Sequence, residues 1–211
     1  MKTTLLFSFL LLVSSAAIGQ DRYQQEMEKA LSALDQAQVL PDFKAVANKF
    51  ELIAGIENQK WLPQYYAAYS YTVMTYFDKD KDSRDTALDK AEEYLNKAAE
   101  LNSGNKEIEI LEAYIYQSRF FVAPMNRLSM FNKASGAIAD VLDAYEDNPR
   151  ANLLQGIQMY HKPGFMGGGA NKAKPYFLEA KKLYGATTVV SELSPNWGVE
   201  TNDYYLSLSK D

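Results

Sequence analysis

The sequence predicts an all-α protein, a right-handed α-solenoid of three to four antiparallel helix hairpins with capping helices at its ends. Apolar residues recur at helical spacing in successive segments, and no segment shows the long alternation typical of hairpin strands. In addition, one small unit occurs three times: an alanine, an apolar residue four positions on and an alanine three further, all on one helix face. The units are Ala91-Leu95-Ala98, Ala137-Val141-Ala144 and Ala173-Phe177-Ala180.

The predicted helices follow one another with short breaks. In chain order they cover residues 24–37, 43–56, 61–77, 86–101, 106–120, 128–145, 151–160 and 171–184, with a short closing helix over 202–208. Pro41 and Pro149 each mark a break, and the turn 102–105 combines asparagine, serine and glycine. The charged segment 78–85 separates the tyrosine-rich third helix from the fourth. Consecutive helices pair as hairpins, which must stack to bury their apolar faces.

The N-terminus has the pattern of a secretory signal peptide over residues 1–19. Lys2 precedes an apolar run over 5–13, and Ala17-Ile18-Gly19 supplies small residues for cleavage. A membrane anchor is the other interpretation, but the run is shorter than the about 20 residues that cross a bilayer. We therefore expect an exported mature chain, 20–211, that forms a single helical-repeat domain. The periplasm is the expected compartment, with an extracellular location as the alternative.

Composition excludes several classes of function. The chain has no cysteine, so a lipid-modified cysteine, a disulfide, a thiolate metal site and a cysteine nucleophile are all absent. It carries 27 acidic and 22 basic residues, a net charge of −5. An acidic chain without a block of lysine or arginine is a poor candidate for nucleic acid or an anionic membrane. No cofactor is expected, and neither is membrane insertion after signal cleavage.

The repeated units resemble tetratricopeptide repeats. Ala113 with Tyr116 matches the first helix of such a unit, and Ala137-Val141-Ala144 followed by Asn148-Pro149 matches the second. The resemblance covers residues 43–184. The interval from a second-helix mark to the next first-helix mark is 22 residues twice, from Val46 to Ala68 and from Ala91 to Ala113, and 19 from Ala137 to Gly156. Intervals within the units are longer than in the family, which implies longer helices or loops.

A weaker likeness covers residues 163–183. There the glycine-rich run 164–169 leads into an alanine-marked helix. This is similar to the periplasmic tetratricopeptide component of TRAP transporters. Both resemblances imply a non-enzymatic exported protein that binds another protein or a peptide, such as an assembly or transporter-accessory factor.

The tetratricopeptide resemblance also implies a concave groove lined by the first helices. In that family the groove positions lie at fixed sequence distances from the small residue in the middle of each first helix. The same offsets in this chain give an aromatic and aliphatic surface with few charges, which suits an extended or helical peptide with apolar anchors. Equally, the N-terminal helix or the C-terminal tail could fill this groove. Trp197 of that tail is expected to pack against the last hairpin as a cap, with an exposed binding tryptophan as the alternative. The predicted partner-binding residues are Tyr65, Tyr69, Thr72, Val73, Ile110, Tyr114, Gln117, Leu153, Ile157, Tyr160 and His161, and the same offsets give Leu62, Glu107, Ser118 and Arg150.

Other constellations are weaker. Residues 78–82 with Asp89 resemble a calcium loop, but Ser83 replaces the usual glycine, and a connector whose Asp82 or Ser83 caps the next helix is the alternative. His161 is the only histidine, and no pair of residues suited to acid–base catalysis stands in a recognisable sequence motif, so no enzyme is expected. The alternative function is a periplasmic module that binds a small molecule or an ion.

Overall fold

The computed structural model describes residues 21–187 and 191–209. The predicted signal peptide, 1–19, lies outside the described residues. Within them the chain is all-helical, as the apolar spacing predicted. None of the described helices is both long enough and apolar enough to cross a membrane.

Nine helices account for most of the described residues, and their order agrees with the sequence prediction. Two short 3-10 turns, Pro124–Asn126 and Gly164–Met166, lie in the connections between helices. The helices are α1 (21–35), α2 (Leu40–Ile56), α3 (Trp61–Met74), α4 (Lys81–Leu101), α5 (Lys106–Val122), α6 (Leu128–Ala144), α7 (Pro149–His161), α8 (Ala170–Ala186) and α9 (Val199–Leu208).

Helix α4 begins five residues earlier than predicted. The sequence places Asp82 or Ser83 at its cap, but the cap is Asp80, whose side chain accepts a hydrogen bond from the backbone N–H of Ser83 at 2.7 Å. A capping carboxylate satisfies one of the free N–H groups of the first turn. Five of the eight residues of the predicted charged connector, 81–85, are therefore helical.

The buried face of α6 is shifted by three residues from the predicted one. In the triplet Ala137-Val141-Ala144 the last alanine is exposed and the first is partly exposed. The buried triplet is Ala134-Ile138-Val141, which has the same spacing. Measured from Ala134, the interval to Gly156 is 22 residues, equal to the two other intervals. The apparent irregularity of 19 residues came from choosing the neighbouring face.

The helices pack as consecutive antiparallel pairs. The largest contacts join α3 to α4, α5 to α6, α7 to α8 and α2 to α3. Helices α3, α5 and α7 also contact in succession, so α5 lies between the other two. The right-handed solenoid arrangement stays a prediction.

Helices α7 and α8 approach closely at Gly156. A Cβ atom at this position would lie 2.5 Å from the ring of Phe177, well inside contact distance. Phe177, Ala173 and Ala180 are fully buried, as the third alanine unit predicted. The small residue in α7 thus accommodates the large central residue of the α8 face.

Candidate functional site

The C-terminal segment, residues 191–199, folds back over the predicted groove. The Trp197 indole stacks between the rings of Tyr69 and Tyr114, with centroid distances of 5.1 and 5.4 Å. Its N–H donates to the hydroxyl of Tyr65 at 2.7 Å. The Tyr66 hydroxyl donates to the carbonyl of Leu193, which holds the start of the same segment. Trp197 is therefore an internal occupant of the tyrosine-lined surface, as the alternative involving the tail predicted.

The predicted groove residues fall into three groups. Tyr65, Tyr69 and Tyr114 meet around Trp197. Tyr160 and His161 lie at the far end of α7, beside Tyr205 of α9. The remaining predicted residues do not form an open surface, because all of them are buried except Val73, which is partly buried. They are Thr72, Val73, Ile110, Gln117, Leu153 and Ile157.

His161 is exposed, but its ring packs edge-on against aromatic neighbours. The centroids of Phe121 and Tyr160 both lie 5.2 Å away. Its Nε2 atom is 2.9 Å from the hydroxyl oxygen of Tyr205. Partial burial lowers the pKa of His161 below its ordinary value of 6.5, because an apolar environment disfavours the charged ring.

A concave site lies at the N-terminal ends of α5 and α7, opposite the end that carries His161. It is a cleft of about 740 Å³ where the N-terminal ends of α3, α5 and α7 meet the end of α8 and the C-terminal segment. We call it the cleft. Its lining consists of Trp61, Gly104, Asn105, Lys106, Glu107, Tyr145, Asp147, Pro149, Arg150, Leu183, Tyr184, Ala186, Thr187, Ser194, Pro195, Asn196 and Val199.

Two asparagines fix the helix ends that border the cleft. The side-chain oxygen of Asn105 accepts a hydrogen bond from Glu107 N–H, and that of Asn148 accepts from Arg150 and Ala151 N–H. These bonds cap the first turns of α5 and α7, and both turns line the cleft. Helix N-termini carry partial positive charge, so both ends contribute a positive potential to the cleft.

Arg150 joins three elements at the floor of the cleft. Its guanidinium pairs with the Glu107 carboxylate at 3.0 Å, donates to the carbonyl of Pro195 and lies 5.3 Å from the centre of the Trp197 ring. Burial raises the pKa of Glu107, and the charge of Arg150 opposes that effect. Since only 4% of Arg150 is exposed, the pair is largely a structural tie between α5, α7 and the C-terminal segment.

The walls of the cleft are aromatic, and apart from the Glu107–Arg150 pair its described lining carries one cation, Lys106, and one carboxylate, Asp147. The Lys106 ammonium lies 5.7 Å from the centre of the Tyr145 ring. The Tyr184 hydroxyl is buried and has no hydrogen-bond partner among the described residues. Burial raises the pKa of Tyr184, which keeps the phenol neutral. Gly198, at φ 107°, lets the C-terminal segment touch this ring, since a Cβ there would overlap the Tyr184 hydroxyl oxygen.

The residues that resemble a calcium loop do not come together in one site. Asp80 caps α4, and Asp78 accepts hydrogen bonds from the Ser83 hydroxyl and the Asp80 N–H. Asp89 lies further along α4 and pairs with Arg119 of α5 at 2.6 Å. No cluster of three or more histidine or carboxylate residues suited to a metal occurs in residues 21–187 and 191–209.

Comparison with known proteins gives one informative relationship. No family model matches the chain, and no curated protein matches it. The solved structure of the HusA haemophore from Porphyromonas gingivalis is similar, with 30% sequence identity and a TM-score of 0.78. The match covers 89% of this chain and 92% of that chain. The chain belongs to the HusA family.

Membership of the HusA family bears on several sequence predictions. A haemophore relative fits the predicted export of the chain, whereas the choice between the periplasm and the outside of the cell stays a prediction. It also fits the small-molecule alternative better than the protein or peptide partner that the repeats suggested. The tetratricopeptide resemblance has no matching family model, so only its all-helical character is confirmed.

Sequence reasoning found part of the cleft. The groove offsets give Glu107 and Arg150, both of which line it. They miss Lys106, Tyr145 and Tyr184, which lie at helix ends or on a second helix. The asparagine caps before Lys106 and Arg150 are a usable signal, because equivalent helix starts in a hairpin array lie at one end of the molecule.

Proposed function

We propose that this member of the HusA family binds haem or a similar tetrapyrrole in the cleft and acts as a carrier rather than an enzyme. The cleft carries the proposal, because it combines a cavity of about 740 Å³ with aromatic walls, the Lys106 ammonium and two helix N-termini. Small-molecule sites are concave, mostly apolar and typically about 300–1,000 Å³. The relationship to a haemophore supplies the class of ligand.

The shape of the cleft suits a flat amphipathic ligand. Trp61, Tyr145 and Tyr184 offer ring faces to an apolar macrocycle. Lys106 and the starts of α5 and α7 supply positive charge for the carboxylates at its edge. Arg150 contributes less to such an anion, since Glu107 already neutralises it.

The lining chemistry favours binding through the macrocycle rather than through its metal. No described lining residue is a histidine, methionine or cysteine. Tyrosine can also hold haem iron, but as the phenolate, and burial raises the pKa of Tyr184. We therefore expect the metal-free macrocycle, protoporphyrin IX, to bind with an affinity close to that of haem.

No catalytic role is proposed. Of the two acidic residues in the cleft, Glu107 is held by Arg150, and neither Glu107 nor Asp147 is hydrogen-bonded to a nucleophile of the described lining. A carrier needs only a reversible site, which aromatic contacts and one cation provide.

Spectroscopic titration with haem and with protoporphyrin IX tests the function. We expect both ligands to bind the mature chain, with Kd values within about tenfold of each other. Tyr145→Ala removes an aromatic wall, and Lys106→Glu reverses a rim charge. Each raises Kd by about tenfold or more, equivalent to at least about 1.4 kcal/mol.

Matched controls separate the cleft from general effects. Tyr204→Ala removes an exposed tyrosine of α9, and Lys49→Glu reverses an exposed charge on α2. Both should leave Kd unchanged. Absence of haem and protoporphyrin binding by the wild type would rule out the function. Binding that Tyr145→Ala and Lys106→Glu do not weaken would rule out the cleft as its site.

A further inference from the structure

An exposed apolar group lies at the end of the molecule opposite the cleft. Met125 and Phe165 sit on the two 3-10 turns and are 95% and 91% exposed. Leu128 and Met166, 63% and 55% exposed, line one small apolar pocket beside them and so belong to the same end. We call these four residues the tip. Apolar residues that cluster on a protein surface mark an interaction site more often than single exposed apolar residues do.

Charge is distributed unevenly along this acidic chain. The segments 113–139 and 148–178, which supply every residue of the tip, contain no aspartate or glutamate. They do contain basic residues, including Lys162 beside the second turn and Lys172 in the first turn of α8. Arg127 is also close, but Asp85 of α4 pairs with it. The start of α4, which Asp85 joins to Arg127, also carries Asp80 and Asp82. The pocket beside the tip, by contrast, is lined by Lys162 and by no carboxylate of the described residues, so cations accompany the apolar side chains there.

We propose that the tip docks on the surface of a lipid bilayer that carries anionic headgroups. Projecting methionine and phenylalanine side chains insert into the boundary between headgroups and acyl chains, while nearby lysines face the headgroups. The tip consists of two short turns rather than a broad face, which suits a deformable lipid surface. Docking is peripheral, consistent with the lack of a membrane-spanning helix among the described residues.

The placement keeps the cleft accessible. The tip lies at the C-terminal ends of α5 and α7, and the cleft lies at their N-terminal ends. Because a 17-residue helix is about 25 Å long, the cleft remains open to solution when the tip contacts a membrane. The inference does not depend on which small molecule the cleft binds.

Co-sedimentation of the mature chain with vesicles tests the proposal. The vesicles contain phosphatidylcholine with about 30% phosphatidylglycerol, or phosphatidylcholine alone. We expect binding to the anionic vesicles and weaker binding to the neutral ones. Met125→Ser/Phe165→Ser should lower the partition coefficient by about tenfold or more, since each side chain loses its apolar contact with the bilayer. Lys162→Glu/Lys172→Glu should lower binding to the anionic vesicles only.

The control is a second pair of exposed apolar residues. Leu52→Ser/Ile56→Ser changes two α2 side chains that are 69% and 77% exposed, and it should leave partitioning unchanged. The proposal is overturned if the wild type stays in the supernatant, or if Met125→Ser/Phe165→Ser sediments as the wild type does. A dimer that disappears in this variant, without vesicle binding, would assign the tip to a second copy instead. Haem titration without vesicles should be unaffected by the tip variant, which distinguishes failure here from failure of the carrier function.

Discussion

At the scale of single residues, side chains that sequence patterns treat alike have different roles. Tyrosine abundance indicates aromatic packing and contact, but it does not say which ring meets which neighbour. Tyr69 and Tyr114 are covered by Trp197, whereas Tyr145 and Tyr184 line the cleft. The distinction depends on where the C-terminal segment folds, and a contact between residues more than 80 positions apart leaves no local signal.

His161 offers a direct test of the described geometry. Its aromatic neighbours disfavour the charged ring, so we expect its pKa below 6.5. Because the folded-state pKa is lowered, the free energy of unfolding keeps its full value above pH 6.5. It decreases as the pH falls from 6.5 through the folded-state pKa, since the unfolded chain then binds the proton more readily. The chain has a single histidine, so one ring-proton resonance followed by NMR gives the titration. A midpoint at or above 6.5 would contradict the packing against Phe121 and Tyr160.

Gly156 tests the close approach of α7 and α8. Gly156→Ala places a methyl group against the Phe177 ring, and we expect a loss of about 1–3 kcal/mol in the free energy of unfolding. The measurement is urea denaturation. Gly136→Ala is the matched control, because Gly136 lies within α6 with no atom within 4 Å of its Cβ position. Helix propensity alone should make that control about 0.5–1 kcal/mol more stable. Equal effects at both glycines would contradict the contact.

At the scale of helices, most of the architecture could be predicted and the register of one helix could not. Turn residues and apolar spacing gave every described helix within a few residues, except the start of α4. In α6, both Ala134-Ile138-Val141 and Ala137-Val141-Ala144 satisfy the same spacing. Only packing against α5 and α7 decides between them, since two faces separated by three residues overlap on a helix.

The C-terminal segment is the element whose role was least visible in the sequence. Trp197→Ala removes an indole stacked on two tyrosines and hydrogen-bonded to a third. We expect it to lower the free energy of unfolding by about 3–5 kcal/mol in a denaturation experiment. Because residues 194–196 and Val199 form one wall of the cleft, the same variant should also weaken haem binding.

Tyr204→Ala serves as the control for the segment. Tyr204 belongs to α9 and is 60% exposed, so its removal should change stability by less than about 0.5 kcal/mol. If Trp197→Ala were as mild as this control, the segment would not be anchored as described.

At the scale of the whole molecule, the repeats predicted a groove but did not identify what it binds. Tetratricopeptide offsets led to a peptide groove, and the C-terminal tail covers much of that surface. The cleft arises where three helix starts meet this tail, so it depends on the complete fold rather than on one motif. The relationship to the HusA haemophore indicates a ligand class that residue patterns alone did not supply.

The most direct test of the central claim is to map protoporphyrin IX binding by NMR. Amide resonances of the mature chain are followed as the metal-free ligand is added, so that ring currents mark the residues nearest the macrocycle. Binding in the cleft should give the largest shifts at Lys106, Tyr145, Arg150 and Tyr184, with little change at Phe120 and Phe165. Large shifts confined to Phe120, Phe165 and their neighbours, or no shifts at all, would contradict binding in the cleft.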